Sequence, residues 1–179
     1  MTDLHYQKYF YPNRMSLRKA RFSWMLFDWA CSPISALHTT FVFSVYFTTV
    51  VMPEGGSFAW SQMTAVTALI IGVTAPFFGR LADNTGRLKS FLSACTFTAS
   101  LATAWLWFVT PESSSIWVAL ILSSVSIFTI ETSFIFYNTL LSSLAPPHKQ
   151  GQLSGTAWGL GYMGAILSLI LVLVFLILP

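Results

Sequence analysis

Charged side chains are scarce in this chain: of its 179 residues, only 8% are Asp, Glu, Lys or Arg. A soluble domain carries about 25% charged residues to keep its surface hydrated, so six acids and nine bases exclude that class. Cysteine is also scarce, and the positions of Cys31 and Cys95 match no metal motif, which argues against a zinc site or a disulfide framework. Hydrophobic residues make up 55% of the chain, and this excess predicts an integral membrane protein.

Catalytic and nucleotide-binding signatures are missing as well. The sequence contains no HExxH motif, no phosphate-binding glycine loop and no recognisable Ser/His/Asp set. We therefore expect no enzyme activity, no cofactor, and no catalytic or metal-ligating residue. Five of the nine bases fall between Lys8 and Arg21, directly before the first apolar stretch, which indicates a membrane-adjacent segment rather than a nucleic-acid surface.

Five apolar stretches are long enough to cross a bilayer, which takes about 20 residues of helix. Backbone polar groups in lipid must be satisfied within the segment, so each stretch is predicted to be helical. The predicted architecture is all-α, with a cytoplasmic basic segment at residues 1–21 followed by a partial transmembrane bundle at 22–179. The expected spans lie at about 22–51, 61–78, 91–109, 115–143 and 152–178.

The remaining bases all fall on the same side of the membrane as the basic N-terminal segment. Three of them lie between spans two and three, and Lys149 lies between spans four and five, whereas the other two loops carry one glutamate each and no base. The positive-inside rule therefore places the N-terminus in the cytoplasm and, after five spans, the C-terminus outside. Because the last apolar run reaches Pro179 without a polar tail, we expect the chain to be a fragment of a longer protein.

Two spans carry an acidic residue among polar neighbours. In the first, Asp28, Ser32 and Ser35 share one helical face with Thr39, and Pro33 is expected to kink the helix. In the fourth, Glu131 lies on one stripe with Ser124, Asn138 and Ser142. A carboxylate inside the membrane can carry a proton or bind a cationic part of a substrate, and the alternative is a neutral acid that bonds a neighbouring helix.

Other polar or small residues in the spans point to helix packing. His38 lies off the Asp28 stripe, and a single membrane histidine more often bonds a neighbouring helix than relays protons. The fifth span contains GxxxG units, which allow close helix approach. The glycines expected to pack are Gly155, Gly159, Gly161 and Gly164.

The loop after the second span, Gly79 to Lys89, reads GRLADNTGRLK. It resembles the signature of the major facilitator superfamily, which also follows the second helix on the cytoplasmic side. Gly79 and Gly86 are expected to permit a tight turn, while Asp83 can pair with Arg87 or face a helix N-terminus. The resemblance implies that Gly79, Asp83, Gly86, Arg87 and Lys89 gate the transporter rather than bind substrate.

Further segments resemble one branch of that superfamily, which contains the fungal autophagy-related vacuolar amino-acid effluxer and its bacterial relatives. They are SWMLFDWA at 23–30, FYNTLL at 136–141, LAPP at 144–147, GQLSG at 151–155 and WGLGY at 158–162. The resemblance implies five helices of an incomplete N-terminal six-helix bundle, in which spans one and four line the central cavity. The substrate or proton-coupling candidates are then Asp28, Glu131, Asn138, Tyr137, Ser32 and Ser35.

The function implied is the N-terminal portion of a secondary active or facilitative transporter of small solutes, amino acids among them, which works by alternating access. Its expected partners are the lipid bilayer, a solute, a proton and the missing C-terminal half or a partner chain. The expected location is the bacterial inner membrane, or the vacuolar membrane in a fungus. The alternative function is a truncated or accessory membrane protein that does not transport.

Overall fold

The computed structural model describes residues 14–85 and 87–178. Within these residues the regular structure is helical, and five helices are long and apolar enough to cross a membrane, as predicted. The predicted all-α membrane fold is therefore confirmed. The five spans are Ser16–Val51, Gly56–Leu81, Leu88–Phe108, Ser115–Leu144 and Pro147–Ile177.

The first span changes helix type along its length. An α-helix at Arg14–Ile34 contains Pro33 in its last turn, and π-helix follows at Ser35–Phe41. Proline has no amide hydrogen and its ring clashes with the carbonyl four residues earlier, so it disrupts regular α-helical pairing. The span continues as α-helix Phe43–Tyr46 and π-helix Phe47–Val51.

The second helix is longer than the sequence suggested. It runs over Gly56–Thr85, and the third helix begins at Leu88 after a very short connection. Gly79 is therefore helical, and the expectation that it permits a tight turn is wrong. The segment Arg80–Ala82 contains good helix formers, so the helix continues beyond the apolar run that marked its predicted end.

The remaining helices are Leu88–Trp105, which ends in a 3₁₀ turn at Leu106–Phe108, followed by Ser115–Leu144 and Pro147–Val172. A π-helical segment, Leu173–Ile177, follows the last of these. Large apolar side chains cover much of the outside: Val73 is 72% exposed and Trp107 is 82% exposed. Such a surface suits contact with lipid rather than with water.

The chain divides into two compact units, and one comprises residues 35–136. Its apolar core lies at one end of the helices and contains Phe47, Val51, Trp60, Leu106, Val109 and Ala119. The Tyr46 hydroxyl donates a hydrogen bond of 3.1 Å to the carbonyl of Val109. This core holds the ends of the first four spans together around Trp60.

The other unit contains the first helix, up to Ile34, and the part of the chain from Tyr137 onward. Here the fifth span packs closely against the first. A Cβ atom built on Gly164 would lie 2.6 Å from the carbonyl oxygen of Trp29, which is closer than real Cβ atoms approach. By contrast, no described atom outside the adjacent turns of the same helix lies within 4 Å of the Cβ positions of Gly155 and Gly159.

Candidate functional site

Asp28 is a buried carboxylate within a membrane span. It is 5% exposed and lies on the same buried stripe of the first helix as Trp24 and Cys31. Within the described residues, its Oδ2 atom has no hydrogen-bond partner. An unpaired buried carboxylate is costly in lipid, so this position demands either a proton or a bound partner.

The fifth span forms one wall beside Asp28. A Cβ atom at Gly161 would lie 2.5 Å from the Oγ atom of Ser32 and 3.3 Å from Oδ1 of Asp28. The Ser32 hydroxyl itself donates a 2.8 Å hydrogen bond to the backbone carbonyl of Asp28. Gly161 therefore leaves just enough room for a carboxylate and a hydroxyl side by side between two helices.

Aromatic rings lie on the N-terminal side of this carboxylate along the first helix. Tyr137, which is 2% exposed, stacks on Trp24 with ring centroids 4.2 Å apart and on Phe27 with centroids 5.1 Å apart. The indole nitrogen of Trp24 also donates a 3.0 Å hydrogen bond to the carbonyl of Tyr137. These contacts hold Tyr137, which lies about two turns before the end of the fourth span, against the first helix.

The other predicted coupling residues are placed differently. Asn138, next to Tyr137, has an exposed side chain. Ser35 and Glu131 belong to the compact unit of residues 35–136, and both are exposed in it. The structure thus brings together Asp28 and Ser32, with Tyr137 in the same unit, while Glu131 lies on a helix surface.

The predicted gating residues lie around the connection between the second and third spans. Arg87 and Lys89 are exposed, and the carbonyl of Arg87 accepts the amide hydrogens of Ser90 and Phe91 at the start of the third helix. Gly79 has no described atom within 4 Å of its Cβ position. Gly86 and the side chain of Asp83 lie outside the described residues.

Three serines of the fourth span form contacts that sequence reasoning missed. Each one pairs with a different span. Ser123 lies 3.0 Å from Nε2 of His38, and the other two hydroxyl pairs are Ser124 with Thr67 and Ser126 with Thr103, each at 2.7 Å. His38 is thus an interhelical hydrogen bonder. The sequence contains a cluster of serines at 123–126, but the polar stripe predicted for the fourth span included only Ser124.

No group of three or more His, Cys, Asp or Glu side chains that could hold a metal ion occurs within residues 14–85 and 87–178. What the site offers chemically is a buried carboxylate with a neighbouring hydroxyl. The carboxylate can accept a proton, or it can hold a cationic group whose N–H groups donate hydrogen bonds to its oxygens.

Comparison with known proteins identifies similar sequences. The family model described as Major Facilitator Superfamily matches residues 6–169. The uncharacterized MFS-type transporter YxiO of Bacillus subtilis (strain 168) is 30% identical over 155 residues, which cover 83% of this chain and 36% of that protein. The chain thus spans about a third of the length of this curated relative. No solved structure gives a significant match.

Proposed function

Because this chain belongs to the major facilitator superfamily, we propose that it forms the N-terminal part of a secondary active or facilitative transporter of small solutes. Five membrane-length helices and a similar protein that is named as a transporter support this function. Alternating access needs two bundles that rock about a site near the middle of the membrane. This chain contributes most of one bundle, so it does not transport alone.

The buried carboxylate of Asp28 carries the proposal. Its Oδ2 atom has no hydrogen-bond partner among the described residues, and intramembrane acids mark solute and proton paths. We assign to Asp28 the binding of a proton or of the ammonium group of an amino acid. Ser32 is the assisting hydroxyl, and Glu131 is a second coupling residue.

The test of this function is uptake by proteoliposomes that contain the complete transporter of which this chain is the proposed N-terminal part, with and without an imposed pH gradient. A mixture of radiolabelled amino acids serves as substrate. Asp28→Asn should reduce uptake at least tenfold, since the amide can neither release a proton nor attract an ammonium group. The matched control is Glu112→Gln, which removes an exposed carboxylate outside the spans and should leave uptake unchanged.

Glu131→Gln separates coupling from binding. It should abolish the pH dependence of uptake while it preserves folding and membrane abundance. If pH dependence persists in this variant, Glu131 has no part in coupling. If Asp28→Asn transports at the normal rate, the role assigned to Asp28 is wrong.

The orientation and the location are part of the same proposal. The distribution of bases supports a cytoplasmic N-terminus, and the Bacillus relative supports a bacterial inner membrane. In that orientation Asp83, Arg87 and Lys89 gate the cytoplasmic side. A single cysteine introduced at Lys89 should react with membrane-impermeant maleimide only in inverted vesicles, and one introduced at Glu112 only in right-side-out vesicles.

The coding sequence around this chain distinguishes the transporter from the accessory protein. The proposal expects an open reading frame that continues past the codon for Pro179 through further apolar spans, since the matched relative is almost three times as long as the matched segment. A stop codon directly after Pro179 would instead favour a five-span accessory protein that needs a partner chain.

A further inference from the structure

A small cavity lies between the beginnings of the first and fifth spans. Its volume is about 170 Å³. Both spans contribute to its lining, together with Ala145, which directly follows the fourth span. The lining residues are Arg21, Ala145, Lys149, Gln152, Leu153 and Thr156.

Two cations line this cavity, and one of them is held in place. The Nε atom of Arg21 donates a 2.7 Å hydrogen bond to the carbonyl of Leu144, at the end of the fourth helix. This bond uses one of the five N–H donors of the guanidinium and leaves the terminal nitrogens for another partner. Lys149 is exposed and contributes a second positive charge, its ammonium group.

The charge of the two cations is not offset by acids nearby. In the compact unit that contains the first helix up to Ile34 and the chain from Tyr137 onward, Asp28 is the single acid among the described residues. Asp28 lies seven residues after Arg21, about 10 Å further along the helix, and its carboxylate is buried beside Gly161. The cavity therefore carries a net positive charge that attracts an anion.

The cavity lies where the apolar stretches of two spans begin. Arg21 directly precedes the apolar stretch that starts at Phe22, and Lys149 lies two residues after the first residue of the fifth span. Bases at the start of an apolar stretch are expected at the level of the lipid headgroups. Basic cavities between spans at this depth bind anionic headgroups.

We propose that this cavity binds a phosphate group, as carried by the headgroup of an anionic phospholipid. A phosphate has five heavy atoms, and the cavity has the volume of about five or six waters. The guanidinium of Arg21 offers paired donors to the phosphate oxygens, while Lys149 contributes a point charge. Gln152 contributes a neutral amide. Binding in this cavity does not require transport, so the test of this site is independent of the test of the proposed function.

The experiment is native mass spectrometry of the purified protein during titration with phosphatidylglycerol. Diacylglycerol with the same acyl chains is the control lipid, because it lacks the phosphate. We expect one phosphatidylglycerol to bind well before others and diacylglycerol not to. Lys149→Gln should weaken the first binding event about fivefold, as expected for loss of one cation near a phosphate.

A second base provides the matched control for this variant. Lys19→Gln removes the same charge from the same end of the unit, but Lys19 does not line the cavity. It should weaken the first binding event less than twofold. Equal weakening by both variants would show that diffuse charge attracts the lipid and would overturn the site. Arg21→Lys, which keeps the charge but loses the paired donors, should weaken binding while the protein remains folded.

Inorganic phosphate distinguishes a lipid headgroup from a free anion. Displacement of phosphatidylglycerol by millimolar inorganic phosphate, with the same sensitivity to Lys149→Gln, would show that the cavity takes a phosphate from either source. Failure of inorganic phosphate to compete, with phosphatidylglycerol bound, would assign the site to the lipid. Failure of both to bind in a Lys149-dependent manner would refute the proposal.

Discussion

Gly164 provides the sharpest test of how the first and fifth spans pack. Its Cβ position lies 2.6 Å from the carbonyl oxygen of Trp29 and 2.9 Å from a carbon of the Trp29 indole ring. A backbone oxygen cannot rotate out of the way as a flexible side chain can. Gly164→Ala therefore forces the two helices apart by several tenths of an ångström, or forces the indole out of its rotamer.

The expected cost follows from the cost of overpacking. An extra methyl group in a closely packed interface destabilises by about 1–3 kcal/mol. The matched control is Gly159→Ala, where no described atom outside the adjacent turns of the same helix lies within 4 Å of the Cβ position. There the methyl group meets no neighbour, and the better helix propensity of alanine should stabilise by up to about 1 kcal/mol.

The assay is unfolding of the purified protein in mixed micelles with increasing SDS, followed by tryptophan fluorescence. The two alanine variants should shift the midpoint in opposite directions, although the sequence change is the same. If Gly164→Ala left the unfolding midpoint unchanged or raised it, the close contact at Trp29 would be refuted. A loss in both variants of similar size would mean that both glycines pack against a helix.

Two further predictions concern hydrogen bonds in the compact unit of residues 35–136. Ser123→Ala should destabilise by about 0.5–2 kcal/mol in the same SDS assay, because it removes the 3.0 Å contact with His38, and its effect should shrink in a His38→Phe background. If the effect of Ser123→Ala were the same in the His38→Phe background, the contact between the two residues would contribute nothing to stability. Tyr46→Phe should cost about 0.5–1.5 kcal/mol through loss of the bond to Val109, and an unaffected unfolding midpoint would contradict that contact.

The five spans could be predicted from the sequence because span length and hydropathy are set by the bilayer, independently of tertiary contacts. Helix ends depend on local chemistry beyond the apolar run. The second helix illustrates this, since it continues through Gly79 to Thr85. The apolar count alone had ended it at residue 78.

The choice among the glycines could not be predicted. Gly155, Gly159, Gly161 and Gly164 share the small-residue spacing that permits close approach, but only Gly161 and Gly164 lie against the first helix. Which side of the fifth span faces a neighbour depends on how the helices are arranged, and one sequence does not reveal that arrangement.

The stripe predicted on the first span was accurate over part of its length. Asp28 and Ser32 do lie together beside Gly161, as the α-helical period requires. Beyond Ile34 the backbone is π-helical, so hydrogen bonds reach one residue further and the α-helical period no longer applies to Ser35. A proline in the sequence indicates disruption but does not say which helix type follows it.

The contacts around Asp28 have a consequence for biogenesis. The first helix enters the membrane early in synthesis, but its hydrogen-bonded partner Tyr137 is 113 residues away from Trp24 along the chain, and Gly161 comes later still. At 5–20 residues per second, the ribosome needs about 6–23 s to make that stretch. Throughout this interval the Asp28 carboxylate stands in or beside the bilayer without its final neighbours. A chain that stalls before Gly161 therefore presents an uncovered acid within the membrane, at the energetic cost of a carboxylate without its neighbours.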